Sequence, residues 1–203
     1  MEIDVSKTDV VDVYHFLVGL VTPRPIAWVT TISESGVVNL APFSFFNTFG
    51  ANPPVVVFSP TLSRELKKKD TLLNIESNGE FCINASTTSH ADLVNLSSKP
   101  LRPDESEIEL TGLDTLPCEK ISVPRLTAVP FSLECKTMQI LPIGSGPISA
   151  NLIIGEVLHM HIDDAFLGED GLPDPNTIQT IGRLGGDYWC HTTDLFQLDR
   201  PQS

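Results

Sequence analysis

The feature that most constrains this chain is a succession of β-branched and aromatic runs, each ended by a turn signal, with only short helical stretches between them. RPIAWVTTIS stops at Glu34-Ser35-Gly36, and VVNLAPFSFF follows. Two such runs joined by a short polar, glycine-containing loop read as a hairpin. Pro42 marks a bulge or an edge in the second strand. PPVVVFSP and EFCINAS are further strands, and FSLECKTMQILPI and ANLIIGEVLHMHIDD are long ones late in the chain. Helical signals are confined to residues 7–20, to TLLNIESN between Asp70 as cap and Gly79 as stop, and to SHADLVNLSS. Strands and helices do not alternate as regular β-α-β units, which argues against a doubly wound sheet. The expected fold is a mainly β, antiparallel barrel with short helices outside it.

The 203 residues suffice for one domain spanning 1–203, with residues 1–20 as a lead-in and the Pro-, Asp- and Glu-rich stretch 99–124 as an exposed excursion. Lys and Arg number 13 against 26 Asp and Glu, a formal charge of −13. That balance argues against a nucleic-acid or anionic-membrane surface, which demands clustered positive charge. No run of about 18 apolar residues reads as a membrane span. The acidic, polar MEIDVSKTDVVD start does not read as a signal peptide, so a cytoplasmic location is expected. Cys82, Cys118, Cys135 and Cys190 show no C-x-x-C spacing and read as reduced thiols packed as small hydrophobes.

Phosphate-loop, dinucleotide, zinc-protease and nucleophile-elbow motifs are absent from the sequence. His159 and His161 share a strand face, but no Cys or carboxylate stands at ligand spacing in their segment, so no metal is expected. The basic residues carry more information. Four of the 13 fall within SRELKKKD, as Arg64, Lys67, Lys68 and Lys69. With the hydroxyls of Ser59, Ser63 and Thr71 and the start of a helix, the cluster suits a phosphate; it also suits a solvated helix start. In APFSFFNTFG, phenylalanines interleave with Ser44, Asn47 and Thr48. Such a stretch fits a flat heteroaromatic ligand held by its polar edge, or a core strand with alternating aromatics. Beside a phosphate site, the ligand would be flavin mononucleotide (FMN).

TPRPIAWVTT, then G-x-x-NLAPFSFFN, then NPPVVVFSP resembles the flavin reductase-like, FMN-binding split-barrel family, in its Arg-Pro-x-Ala-x-Val-Thr-Thr branch. KDTLLNIESNGEFCIN and the closing RLGGDYWCHTTDLFQLDRP are similar to the same branch. The resemblance runs from about residue 20 to residue 201. It implies a six-stranded Greek-key split β-barrel with short peripheral helices, and a homodimer with two flavins near the subunit interface. By position it implies that Thr30 and Thr31 approach the isoalloxazine, and that Ser44, Asn47 and Thr48 contact the ring edge or ribityl chain. Ser59, Arg64, Lys69 and Thr71 would lie near the phosphate, with Ala41 and Phe58 supporting the pocket.

The resemblance further implies an oxidoreductase that passes electrons from NAD(P)H through FMN to an acceptor, free flavin or an electron-acceptor protein. No acid or base is essential, because the cofactor carries the hydride chemistry. Many reductases of the superfamily carry Gly-Asp-His before the strand matching LIIGEVLHMHI; here Ala150-Asn151 stands in that place. That departure keeps open the alternative of an FMN-binding electron-transfer protein without its own nicotinamide site. Arg183 and Tyr188, in the RLGG-x-Tyr segment, either face the cofactor or hold the dimer.

Overall fold

The computed structural model describes residues 1–201. In chain order the elements are α1 (Val10–Leu20), β1 (Arg24–Pro25), β2 (Ala27–Ile32), β3 (Val38–Phe43), β4 (Phe46–Ala51), β5 (Pro54–Phe58), α2 (Asp70–Asn78) and β6 (Glu80–Asn84). Then come α3 (Ala91–Leu96), α4 (Glu107–Thr111), β7 (Thr115–Leu116), β8 (Arg125–Leu126), β9 (Phe131–Ile143), β10 (Ala150–Ile162), α5 (Pro175–Ile178), β11 (Ile181–Arg183) and β12 (Trp189–His191). Helix α2 begins one residue earlier than its sequence signal suggested: Lys69 occupies the cap position and Asp70 lies inside the first turn. Gly79 ends it at φ 73°, a left-handed conformation that glycine adopts without steric cost.

The main sheet has seven strands in the order β3-β2-β6-β9-β10-β5-β4, all antiparallel. Its two edge strands, β3 and β4, are consecutive in the chain and separated only by Ser44 and Phe45. So short a link draws the two edges together and rolls the sheet, while the edges remain unpaired with each other. This is the mainly β split barrel that the sequence led us to expect, with one more strand in its main sheet than the expected six. A smaller sheet, β1-β11-β12, lies beside it.

Strand β2 is buried at almost every position because both its faces are covered. Ala27 and Val29 face a core that includes Phe43, Phe58, Phe81 and Ile153; Ile26 and Trp28 face a second, with Leu40, Val94, Leu126 and Ile181. Trp28 is fully buried, and its Nε1 donates to Ser97 Oγ at 2.9 Å. The rings of Phe43, Phe58 and Phe81 follow one another at centroid separations of 5.2 Å. Phe43 therefore belongs to the core, whereas Phe45 and Phe49 of the same stretch are exposed. The Phe81 ring lies over Gly155 of β10, where an added Cβ would come within 2.4 Å of Cζ.

A polar chain crosses between β3, α2 and α4. Asn39 Oδ1 accepts from Thr71 Oγ1 at 2.7 Å and from Thr31 Oγ1 at 3.3 Å, and Asn74 Nδ2 donates to Thr31 Oγ1 at 3.0 Å. Glu107 Oε2 accepts from Asn39 Nδ2 at 2.8 Å and from the Leu40 amide at 2.9 Å. The excursion over residues 99–124 thus sends a buried carboxylate back to β3 and also contributes the buried Ile121 and Val123. Burial pushes the Glu107 carboxyl above its ordinary pKa, against the pull of the Leu40 amide and Asn39.

Two variants test this packing. Gly155→Ala drives a methyl group into the Phe81 ring and is expected to cost about 1–3 kcal/mol, read by urea unfolding; an unchanged midpoint would refute the contact. Glu107→Gln keeps an oxygen for Asn39 and Leu40 and removes the disfavoured charge. The raised pKa means that the folded chain holds its proton longer than the unfolded one. Wild-type stability therefore falls as pH rises from about 4.5 through the folded pKa, and the variant escapes that loss. The stability gap in favour of Glu107→Gln should widen over that range and then level off. Parallel pH profiles would contradict it.

Candidate functional site

A cavity of about 450 Å³ opens where β3, the loop before α2, the segment after α3 and α4 converge. Asn39 and Ala41 line it from β3, Lys67, Lys68 and Lys69 from the loop, and Thr71 from the first turn of α2. The volume falls within the range of roughly 300–1,000 Å³ usual for small-molecule pockets. No side chain caps the start of α2. First-turn amides and the positive end of the helix dipole favour an anion at such a terminus. Asp70 and Glu107 also line the cavity, so its cations face two carboxylates.

Lys69 is exposed as a residue, but its ammonium is turned inward, 5.8 Å from the Phe43 ring centroid, and desolvation there lowers its pKa. Lys68 is bound to Glu76 at 2.7 Å. Ser63 Oγ accepts from the Lys67 amide at 3.1 Å and closes a turn in which Leu66 has φ 63°. Arg64 stands exposed on that turn, with no ion-pair partner among the described residues.

The remaining sequence candidates divide into three groups. Thr30 and Thr31 are wholly buried and, as neighbours on a strand, face opposite sides: Thr30 Oγ1 donates to the Pro124 carbonyl at 2.7 Å, and Thr31 joins the Asn39 chain. Phe58 is core. Ser59 is buried, and its Oγ accepts from the Asn151 amide at 3.2 Å, while Asn151 Nδ2 donates to the Pro60 carbonyl at 3.0 Å. Ser44, Asn47 and Thr48 lie outside the cavity lining. Asn47 and Thr48 are exposed on the edge strand β4, with the Thr48 amide donating to Asn47 Oδ1 at 2.8 Å. Arg183 donates to the carbonyls of Tyr188 and Gly186 and stacks 4.6 Å from the Trp189 ring centroid, and Tyr188 is 75% exposed.

Sequence reasoning missed three residues. Asn39 joins the cavity to the polar chain, and it stands inside the quoted G-x-x-NLAP motif, so a signal was present. Glu107 had none, since its partners lie nearly seventy positions away. Arg24 is buried: its guanidinium donates to the carbonyls of Val18, Val21 and Leu184 at 2.5, 2.9 and 3.0 Å, and Nε reaches Ser44 Oγ at 3.3 Å. It fastens the end of α1 and the segment after β11 to the turn between the barrel edges.

Known proteins agree with this architecture. The family described as "Flavin reductase like domain" matches residues 19–174. An uncharacterised protein of Halalkalibacterium halodurans is 42% identical over 191 residues, spanning 93% of this chain and 90% of the relative. The crystal structure of nitrilotriacetate monooxygenase component B from Bacillus cereus superposes with a TM-score of 0.92 at 32% identity, covering 98% of each chain. The 2-nitrobenzoate 2-nitroreductase NbaA of Pseudomonas fluorescens superposes with a TM-score of 0.87 at 32% identity, over 99% of this chain and 96% of that one. With a family match over most of its length and these relatives, the chain belongs to the flavin reductase-like family.

Proposed function

We propose that the protein is an FMN-dependent oxidoreductase, passing electrons from NAD(P)H through bound FMN to an acceptor. The observation that carries this reading is one cavity combining an uncapped helix start, a lysine cluster and the buried Thr71 beside β3. These residues fit a phosphorylated ligand. Lys69 and Thr71, which line the cavity, would hold the phosphate, with Ser59 and Arg64 joining from beyond its lining, Arg64 by folding back from its turn. Ala41, Ser44, Asn47 and Thr48 would follow the ribityl chain and ring edge along β3 and β4. Phe58 supports that wall from within, and Thr30 and Thr31 act by fixing the strand and orienting Asn39.

When bound, the flavin supplies the hydride and single-electron chemistry. The chain's part is to neutralise the phosphate, to fix the ring plane against β3 and β4, and to shield one ring face from water. Lys69 suits the first task, because its desolvated ammonium gains more from a phosphate than a solvated one would. We assign the exposed apolar residues Phe45 and Phe49, with Tyr188, to a homodimer contact in a cytoplasmic protein. Among the described residues no helix is long and apolar enough to cross a membrane.

A second reading is an FMN-binding electron-transfer protein without its own nicotinamide site. Ala150-Asn151 favours it: the pair stands where many reductases of the superfamily carry Gly-Asp-His, and the Asn151 side-chain amide already donates to Pro60. The neighbours' names point to two acceptor classes, a monooxygenase partner and a nitroaromatic compound. Anaerobic addition of NADH or NADPH to the yellow protein separates the two readings. Bleaching by either supports the reductase, a yellow colour that persists supports the electron carrier, and failure to take up FMN at all defeats both. Lys69→Ala should weaken FMN binding about ten- to a hundredfold, with little effect on riboflavin. Arg64→Ala should show the same preference with a smaller loss. Equal losses for the two flavins would contradict the phosphate assignment.

A further inference from the structure

Away from the residues that line the cavity, three elements bring together a thiol, a carboxylate and an imidazole. Cys118 lies in the loop after β7, Glu134 on β9 and His161 on β10, and their ligand atoms all lie within 4.8 Å of one another. No local pattern marks this group, because its members stand sixteen and then twenty-seven positions apart along the chain, outside any local ligand spacing. We propose that Cys118, Glu134 and His161 form a binding site for a borderline-soft divalent metal ion of the Zn²⁺ class, which fastens the loop around residue 118 to the β9–β10 pair.

The donor set is the first reason. Thiolate, imidazole and carboxylate are the ordinary protein ligands of Zn²⁺, and three of them with one open position make a four-coordinate site completed by water. Charge is the second. Thiolate and carboxylate together cancel the ion's two positive charges, so the loaded site adds no net charge to a buried wall. Orientation is the third. Glu134 is wholly buried, and its Oε1 and Oε2 accept from the amides of Glu119 and Lys120 at 2.7 and 2.6 Å. Those amides follow Cys118 directly in the chain, so the backbone that presents the thiol also aims the carboxylate. Supporting hydrogen bonds of this kind fix metal ligands in place.

Glu134 also has capacity to spare. Oε1 is engaged by the Glu119 amide and by His161 Nε2 at 2.5 Å, but Oε2 has only the Lys120 amide. A carboxylate oxygen offers about two acceptor positions, which leaves one on Oε2. Cys118 packs against the buried cluster of Cys82, Ile121 and Val123, which restrains its Sγ. Cys118 and His161 are both partly exposed, so an ion and a completing water have access. On loading, the Cys118 thiol releases its proton to solvent. The hydrogen on His161 Nε2 is lost to solvent or passes to Nδ1, and the ion takes its place opposite Glu134. Nothing is oxidised or reduced.

The test uses full-length, untagged, flavin-loaded protein, freed of metal by a chelator. Zn²⁺ is titrated by calorimetry and Co²⁺ by absorption. The expected result is one saturable equivalent of Zn²⁺ per chain, a thiolate-to-cobalt charge-transfer band with Co²⁺, and a Tm raised by Zn²⁺. Cys118→Ser should abolish the band and weaken Zn²⁺ binding at least about tenfold, and His161→Gln should weaken it comparably. Cys190→Ser, on β12, should leave both unchanged. Flavin absorbance should not move in any of them, which separates this site from the flavin cavity. Cys118→Ser keeps the Glu134 hydrogen bonds intact, so it stays informative if Glu134 variants fail to fold. Absence of saturable binding in the wild type, or equal binding by Cys118→Ser, would overturn the proposal and leave Glu134–His161 as a structural pair alone.

Discussion

The rest of the structure depends on the pairing of β9 with β10. These two long strands hold the centre of the main sheet, with β6 added on one side and β5 on the other. Their ladder shifts register between Ile154 and Gly155 and again between Val157 and His159. Such bulges add twist and bend the strand, which a sheet needs in order to roll. At the first shift stands Gly155, whose missing side chain admits the Phe81 ring and lets β6 and β10 close on a common core. The link of two residues between β3 and β4 then has a rolled sheet to span rather than a flat one.

That geometry leaves β3 with two different surroundings. One end contributes Phe43 to the aromatic row of the core; the other carries Asn39 into a chain of hydrogen bonds reaching α2 and α4. Buried polar groups cost stability unless paired, and both the oxygen and the nitrogen of the Asn39 side chain have partners. The chain fixes the start of α2 against β3, and the lysine-rich loop enters the same corner. An acidic chain thereby gathers positive charge at the mouth of one cavity, where a helix terminus already favours an anion.

The β9–β10 pair uses the same materials differently. Burial works against an ionised Glu134, but the Glu119 amide, His161 and the Lys120 amide outweigh it and hold its pKa below the usual range. Glu107 is pushed the other way by burial, because its donors are neutral amides and the nearby Asp70 charge opposes its ionisation. Two buried glutamates thus differ in charge preference because of the kind of neighbour that the fold supplies, an imidazole for one and a carboxylate for the other. The thiols of Cys82 and Cys135 are pushed up, the first by its contact with Cys118 and the second by burial, as befits packed sulfur atoms.

Much was legible in the sequence alone. Alternation and turn signals marked the strands, because a half-buried strand must alternate and a reversal needs residues such as Gly36 and Gly79. The local basic run before α2 was visible because its charges are contiguous. Only the tertiary structure decided that Phe43 is core while Phe45 and Phe49 face outward, since an aromatic run looks the same whichever face the barrel covers. It also decided that Thr30 and Thr31 turn to opposite sides, that Arg24 locks the split between the barrel edges, and that Glu107 and Glu134 are buried. Those facts depend on contacts between residues far apart in the chain, and a linear pattern carries no record of which distant groups will meet when the sheet rolls.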